Sequence, residues 1–66
     1  MNLSLREEQI IKLLQQGKPN KLISFELGLS EGTVKQYLYS AFHKTGVANR
    51  TELALLALED ETAHLP

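Results

Sequence analysis

A chain of 66 residues with no cysteine has room for one small domain and excludes disulfides and thiolate metal sites. Its 42% hydrophobic and 23% charged content is that of a globular protein rather than a disordered one, and a net charge of −1 excludes a uniformly basic surface. No apolar run approaches the roughly 20 residues of a membrane span and the N-terminus has no basic-then-apolar signal pattern, so a cytoplasmic location is expected.

The first helix is expected at about 5–16, because Ser4 followed by Glu7 is a capping-box pattern and Gly17 suits the residue beyond its end. Ile10, Leu13 and Leu14 form its buried stripe, with Ile11 at the edge. Pro19 suits the first position of a second helix, about 19–27, which runs through Ile23 and breaks at Gly28. Ser30 can cap a third helix, about 31–44, which Gly46 stops. A helix, a tight turn with glycine and a second helix form the helix-turn-helix arrangement. Asn49 can cap a fourth helix, about 50–60, with Glu52 completing a second capping box, and 61–66 is expected to fray. The fold expected is all-α: one four-helix helix-turn-helix domain over 1–66, without internal repeat or linker. Leu53 to Leu58 is apolar at six consecutive positions. One packed stripe does not need so many, so part of that surface is either exposed or covered from outside the chain. Burying only about 60% of its unfolded surface, a domain of this size is expected to gain from self-association or a larger parent protein.

The third helix has two distinct sides. Val34, Leu38 and Ala41 or Phe42 share a packing face, whereas Lys35, Gln36 and Tyr39 lie together on another. One cation and two hydrogen-bonding side chains in that arrangement suit base edges in a major groove. Charge distribution agrees in part. The acids Glu59, Asp60 and Glu61 cluster near the C-terminus and Glu7 and Glu8 near the N-terminus. The centre carries Lys12, Lys18, Lys21, Lys35, Lys44 and Arg50 against Glu26 and Glu31, a basic excess able to meet phosphates.

Plainer readings stand beside these. On an isolated helix Lys35 and Gln36 would more often be a solvated face, and Tyr37 and Tyr39 could be surface-packing aromatics. Arg6 and Glu7 read as a cap and a surface ion pair. His43 and His64 have no third ligand at metal spacing, so neither a metal nor another cofactor is expected. No phosphate-cradling glycine loop, paired carboxylates or nucleophile–base pair stands out, so the chain does not read as an enzyme.

Five segments in order then carry a family resemblance: Leu3-Ser4-x-Arg6-Glu7, Leu13-Leu14-x-x-Gly17, Pro19-Asn20-Lys21-x-Ile23, Leu29-Ser30-Glu31-x-Thr33-Val34-Lys35, and Lys44-x-Gly46-Val47-x-Asn49-Arg50-Thr51-Glu52-Leu53. Together they resemble the LuxR-type helix-turn-helix domain of bacterial response regulators and quorum-sensing regulators, from Leu3 to about Ala57. The resemblance implies sequence-specific binding of double-stranded DNA, with Lys35, Gln36 and Tyr39 on the bases. It implies backbone contacts from Asn20, Lys21, Thr33, Tyr37, Lys44, Asn49 and Arg50. It also implies a homodimer through the fourth helix, where Leu55 and Leu58 are the expected interface residues, and an N-terminal regulatory domain and RNA polymerase as further partners.

The chain departs from the family pattern at several positions. Tyr37 replaces a usual histidine, Ala41 a larger aliphatic and Thr45 a leucine. Leu22 and Phe25, an outward i, i+3 pair, stand where the family has polar residues, and they suggest a patch for a partner domain. Two alternatives remain open: a promoter-binding module like region 4 of sigma factors, and a degenerate helix-turn-helix serving protein–protein interaction.

Overall fold

The computed structural model describes residues 2–56. Four helices follow one another: α1 (Leu5–Gln15), α2 (Asn20–Leu27), α3 (Glu31–Thr45) and α4 (Arg50–Ala54). Among the described residues there is no strand.

Local chemistry sets most of these boundaries. The capping box of α1 is complete: the Glu7 N–H donates to Ser4 Oγ at 3.2 Å and the Ser4 N–H to Glu7 Oε1 at 2.7 Å. At its other end Gly17 lies in the left-handed region at φ 83°, with the Lys18 N–H closing onto the Leu13 carbonyl at 3.3 Å and its own N–H onto Leu14 at 2.9 Å. These two bonds satisfy carbonyls that a helix end leaves without partners. Pro19 falls one position earlier than the sequence suggests, as the extended N-cap of α2 rather than its first helical residue. Gly28 turns the chain at φ 68°, and Ser30 Oγ then caps α3 by accepting from the Thr33 N–H at 3.0 Å. In α4, Asn49 Oδ1 accepts from the Glu52 N–H at 2.9 Å, as a capping box requires. The return bond differs from the expectation, because the Glu52 carboxylate accepts from the Ala48 N–H, one residue before the cap.

α4 ends at Ala54 instead of near residue 60. Its last turn tightens, with the Leu56 N–H donating to Leu53, and the Gln15 side-chain amide donates to the Leu56 carbonyl at 2.6 Å. That carbonyl is therefore engaged by a side chain of α1. Residues 57–60 of the expected helix, Leu58 among them, and the tail 61–66 lie outside the described residues.

Ile10, Ile11, Leu14, Ile23, Val34, Leu38, Ala41 and Leu53 form the core. α1 is its centre, packing against α2, α3 and α4, while α2 packs on α3. The expected stripe of α1 is corrected: Ile11 is completely buried and Leu13 only half-buried, because the face turned inward is Glu7, Ile10, Ile11 and Leu14, an i, i+3, i+4, i+7 stripe with Leu13 at its edge. On α3, Ala41 is buried and Phe42 packs half-buried against the same core. Thr45 uses its hydroxyl to donate to the Ala41 carbonyl at 2.8 Å and to accept from the Val47 N–H at 3.4 Å.

Candidate nucleic-acid interface

With Val34, Leu38 and Ala41 inward, helical geometry turns Lys35, Gln36 and Tyr39 outward, and all three are exposed along one ridge of α3. The ridge runs between two grooves. One is lined by Asn20, Lys35, Leu38, Tyr39, Phe42 and Arg50. The other is lined by Ser4, Glu7, Thr33, Gln36, Tyr37, Ser40 and Lys44. The expected base-contact residues thus share the ridge, and five of the seven expected backbone-contact residues are divided between its flanks. Lys21 and Asn49 line neither groove, although Lys21 is exposed in the first turn of α2.

The cations on the two flanks are held differently. Arg50 donates to Asn20 Oδ1 at 2.7 Å and to the Lys18 carbonyl at 3.0 Å, joining the start of α4 to the start of α2. Both acceptors are neutral. Lys18 itself pairs with Glu26 at 2.8 Å, which takes one lysine out of the central basic excess. On the other flank Lys44 pairs with Glu7 at 2.9 Å, its side chain 40% exposed against 2% for the glutamate.

Sequence reasoning placed Glu7 in a cap and a surface ion pair. Its cap is present, but its carboxylate is buried and faces Lys44, while Arg6 donates to Gln9 at 3.1 Å. Burial by itself would raise this carboxyl's pKa. Hydrogen bonds from Ser40, Lys44 and Ser4 outweigh that effect and lower it from 4.5 to about 2. The capping box revealed Glu7's local partner. Nothing local pointed to Lys44, 37 residues away, or to the Arg50–Asn20 bond across 30.

The remaining expected surfaces are open. Phe25 is 82% exposed and Leu22 40%, so the apolar pair on α2 faces outward as the sequence suggests. Leu55 is 80% exposed just beyond α4. No helix of the described residues is long and apolar enough to cross a membrane.

The model of the luxR family of bacterial regulatory proteins matches residues 1–57. The uncharacterized transcriptional regulatory protein YvfU of Bacillus subtilis (strain 168) is 44% identical over 57 residues, 86% of this chain and 28% of that protein. The monoamine regulon transcriptional regulator of Klebsiella aerogenes is 45% identical over 51 residues, 77% of this chain and 22% of that protein. The two-component response regulator PprB of Pseudomonas aeruginosa is 40% identical over 53 residues, 80% of this chain and 19% of that protein. The chain therefore spans less than a third of the length of these relatives. No solved structure matches it significantly. Matched by the family model over nearly its whole length, and with the helix-turn-helix formed by α2 and α3, the chain belongs to the luxR family of bacterial regulatory proteins.

Proposed function

We propose that the domain binds duplex DNA sequence-specifically as the output domain of a bacterial transcription regulator, with α3 in the major groove. The observation that carries this reading is the exposed Lys35, Gln36 and Tyr39 ridge with a cation-bearing groove on each side. A lysine suits the acceptors of guanine, a glutamine the paired donor and acceptor of adenine, and an aromatic edge the thymine methyl. Backbone contacts fix register on the flanks. Arg50 uses two donors within the protein and retains others for a phosphate oxygen, and Asn49, whose oxygen is committed to Glu52, keeps its amide hydrogens to donate. Thr33, Tyr37 and Lys44 serve one flank and Asn20 and Arg50 the other, with Lys21 reaching the backbone from the exposed first turn of α2.

The reading extends to a homodimer that buries Leu55 and Leu58, placing two copies of α3 on two half-sites. Leu55's exposure supports this. A regulatory domain preceding the chain is supported by the much greater length of the relatives, of which PprB is named a two-component response regulator. Leu22 and Phe25 then form a surface for that domain. Their exposure also favours a second reading, in which the fold serves protein–protein contact without DNA.

A titration against duplex DNA at two salt concentrations separates these readings. Affinity is expected to fall linearly on a log–log scale as salt rises. Lys35→Ala should erase discrimination between sites, whereas Lys21→Ala should weaken all sites alike and flatten the salt slope by about 1. Absence of duplex binding at low salt, with the dimer confirmed by sedimentation, would leave the protein-contact reading.

A further inference from the structure

We infer that Glu7 is a positioning residue for DNA: from beneath the groove it holds the Lys44 ammonium at the lip, where one phosphate contact of the proposed complex is made. The inference rests on the DNA-binding reading. Its geometric basis is the unequal exposure of the pair. Glu7 is buried at 2% while the Lys44 side chain is 40% exposed, so a ligand arriving from solvent meets the ammonium with the carboxylate behind it. Lys44 is the long, flexible member of the pair and would otherwise sample many rotamers.

Glu7 is itself fixed from three directions. Its backbone belongs to the first turn of α1, its Oε1 accepts from the Ser4 N–H at 2.7 Å, and Ser40 of α3 hydrogen-bonds its carboxyl group. Lys44 is the fourth partner, at 2.9 Å. An anchor this constrained transmits its own position to the ammonium. A lysine ammonium has three donors, and the pair uses one of them, leaving others for a phosphate oxygen. The opposite flank reaches the same end by another route, since Arg50 is aimed by the neutral Asn20 and Lys18 acceptors. Both flanks therefore present an ordered cation, and the ordering on this side is supplied by a carboxylate.

Carboxylate and phosphate repel each other, which makes the sign of the effect a real test. If positioning dominates, Glu7→Gln lowers affinity for a specific duplex by about two- to ten-fold, the range for fixing one rotamer-rich side chain. If repulsion dominates, the same substitution raises affinity and steepens the salt slope by about 0.9 as Lys44 becomes free to neutralise a phosphate. A double-mutant cycle with Lys44→Ala then distinguishes positioning from general support of the fold. The expected result is a loss in Glu7→Gln that disappears when Lys44 is already alanine. An equal loss in both backgrounds, or a gain in affinity, overturns the inference.

Ser40→Ala provides the second variant should Glu7→Gln unfold. It removes one anchor of the carboxylate and should give a smaller loss that also vanishes in the Lys44→Ala background; a loss that persists there counts against the inference. Wild-type protein that binds no duplex overturns the DNA-binding reading and this inference with it. Wild-type protein that binds normally while the cycle shows no coupling overturns this inference alone.

Discussion

Glu7 sits where burial alone would favour its protonated form, yet its carboxyl pKa falls from 4.5 to about 2 because Ser40, Lys44 and Ser4 donate to it. Above pH 4.5 the carboxyl is ionised in both folded and unfolded chains, and the full stabilisation is present. As the pH falls the unfolded chain takes up the proton first, so stability declines until about pH 2, where the folded carboxyl protonates as well. A displacement of that size corresponds to at most about 3 kcal/mol, which screening at the 40%-exposed Lys44 reduces. Urea denaturation should therefore find Glu7→Gln less stable than wild type by about 2–3 kcal/mol at pH 7, with the gap narrowing steadily between pH 5 and about pH 2. A gap independent of pH would mean that the substitution acts through the shape and hydrogen bonding of the group and not through its charge.

At the scale of the element, the turn between α2 and α3 decides where the ridge points. Gly28 adopts φ 68°, and a Cβ placed on it would meet nothing within 4 Å. A substitution there costs only conformational strain, without a clash. Gly28→Ala should lower stability by about 1–2 kcal/mol, read from the shift of a thermal melt, while leaving the core packing unchanged. The same locality explains which elements were legible from the residues. Caps at Ser4, Ser30 and Asn49 and left-handed glycines at 17, 28 and 46 act within a few residues, so α1, α2 and α3 begin and end within one residue of expectation. The end of α4 has no glycine or proline stop, and the apolar run from Leu53 onward suggested a longer helix than Arg50–Ala54. Just beyond that end a side chain from α1 bonds the Leu56 carbonyl, a contact that no local pattern specifies. Ile11 and Leu13 exchanged places for a related reason: apolar residues at 10, 11, 13 and 14 fit more than one helical face, and only the buried Glu7, whose partner Lys44 is distant in the chain, singles out the face that holds Ile11.

Across the whole molecule, the ridge was legible because it needs only the periodicity of one helix. Its flanking cations were legible as residues but their partners were not, since the Lys44–Glu7 ion pair and the Arg50–Asn20 hydrogen bond join distant parts of the chain. The net charge of −1 is compatible with the proposed DNA contact because charge is arranged rather than summed: Lys35, Arg50 and Lys44 lie on the two grooves and the ridge between them. Assembly belongs to this scale too. Leu55 is 80% exposed and makes no contribution to the core, so Leu55→Glu should leave helical content intact and yield a monomer in sedimentation at high protein concentration. Wild-type protein that is already monomeric under those conditions would remove the dimer from the proposal.

α1 packs on the other three helices, although none of the expected DNA-contact residues belongs to it. Any genetic map of lost function in this domain is therefore expected to be two-layered. On α3, substitutions separate cleanly by face, the inward ones destroying the protein and the outward ones altering what it recognises. On α1 that separation is unavailable, because Ile10, Ile11 and Leu14 belong to the core while Glu7 pairs with Lys44 on the proposed binding surface. A null allele in α1 reports that the domain matters, and only a measurement of folding alongside it can say in which sense.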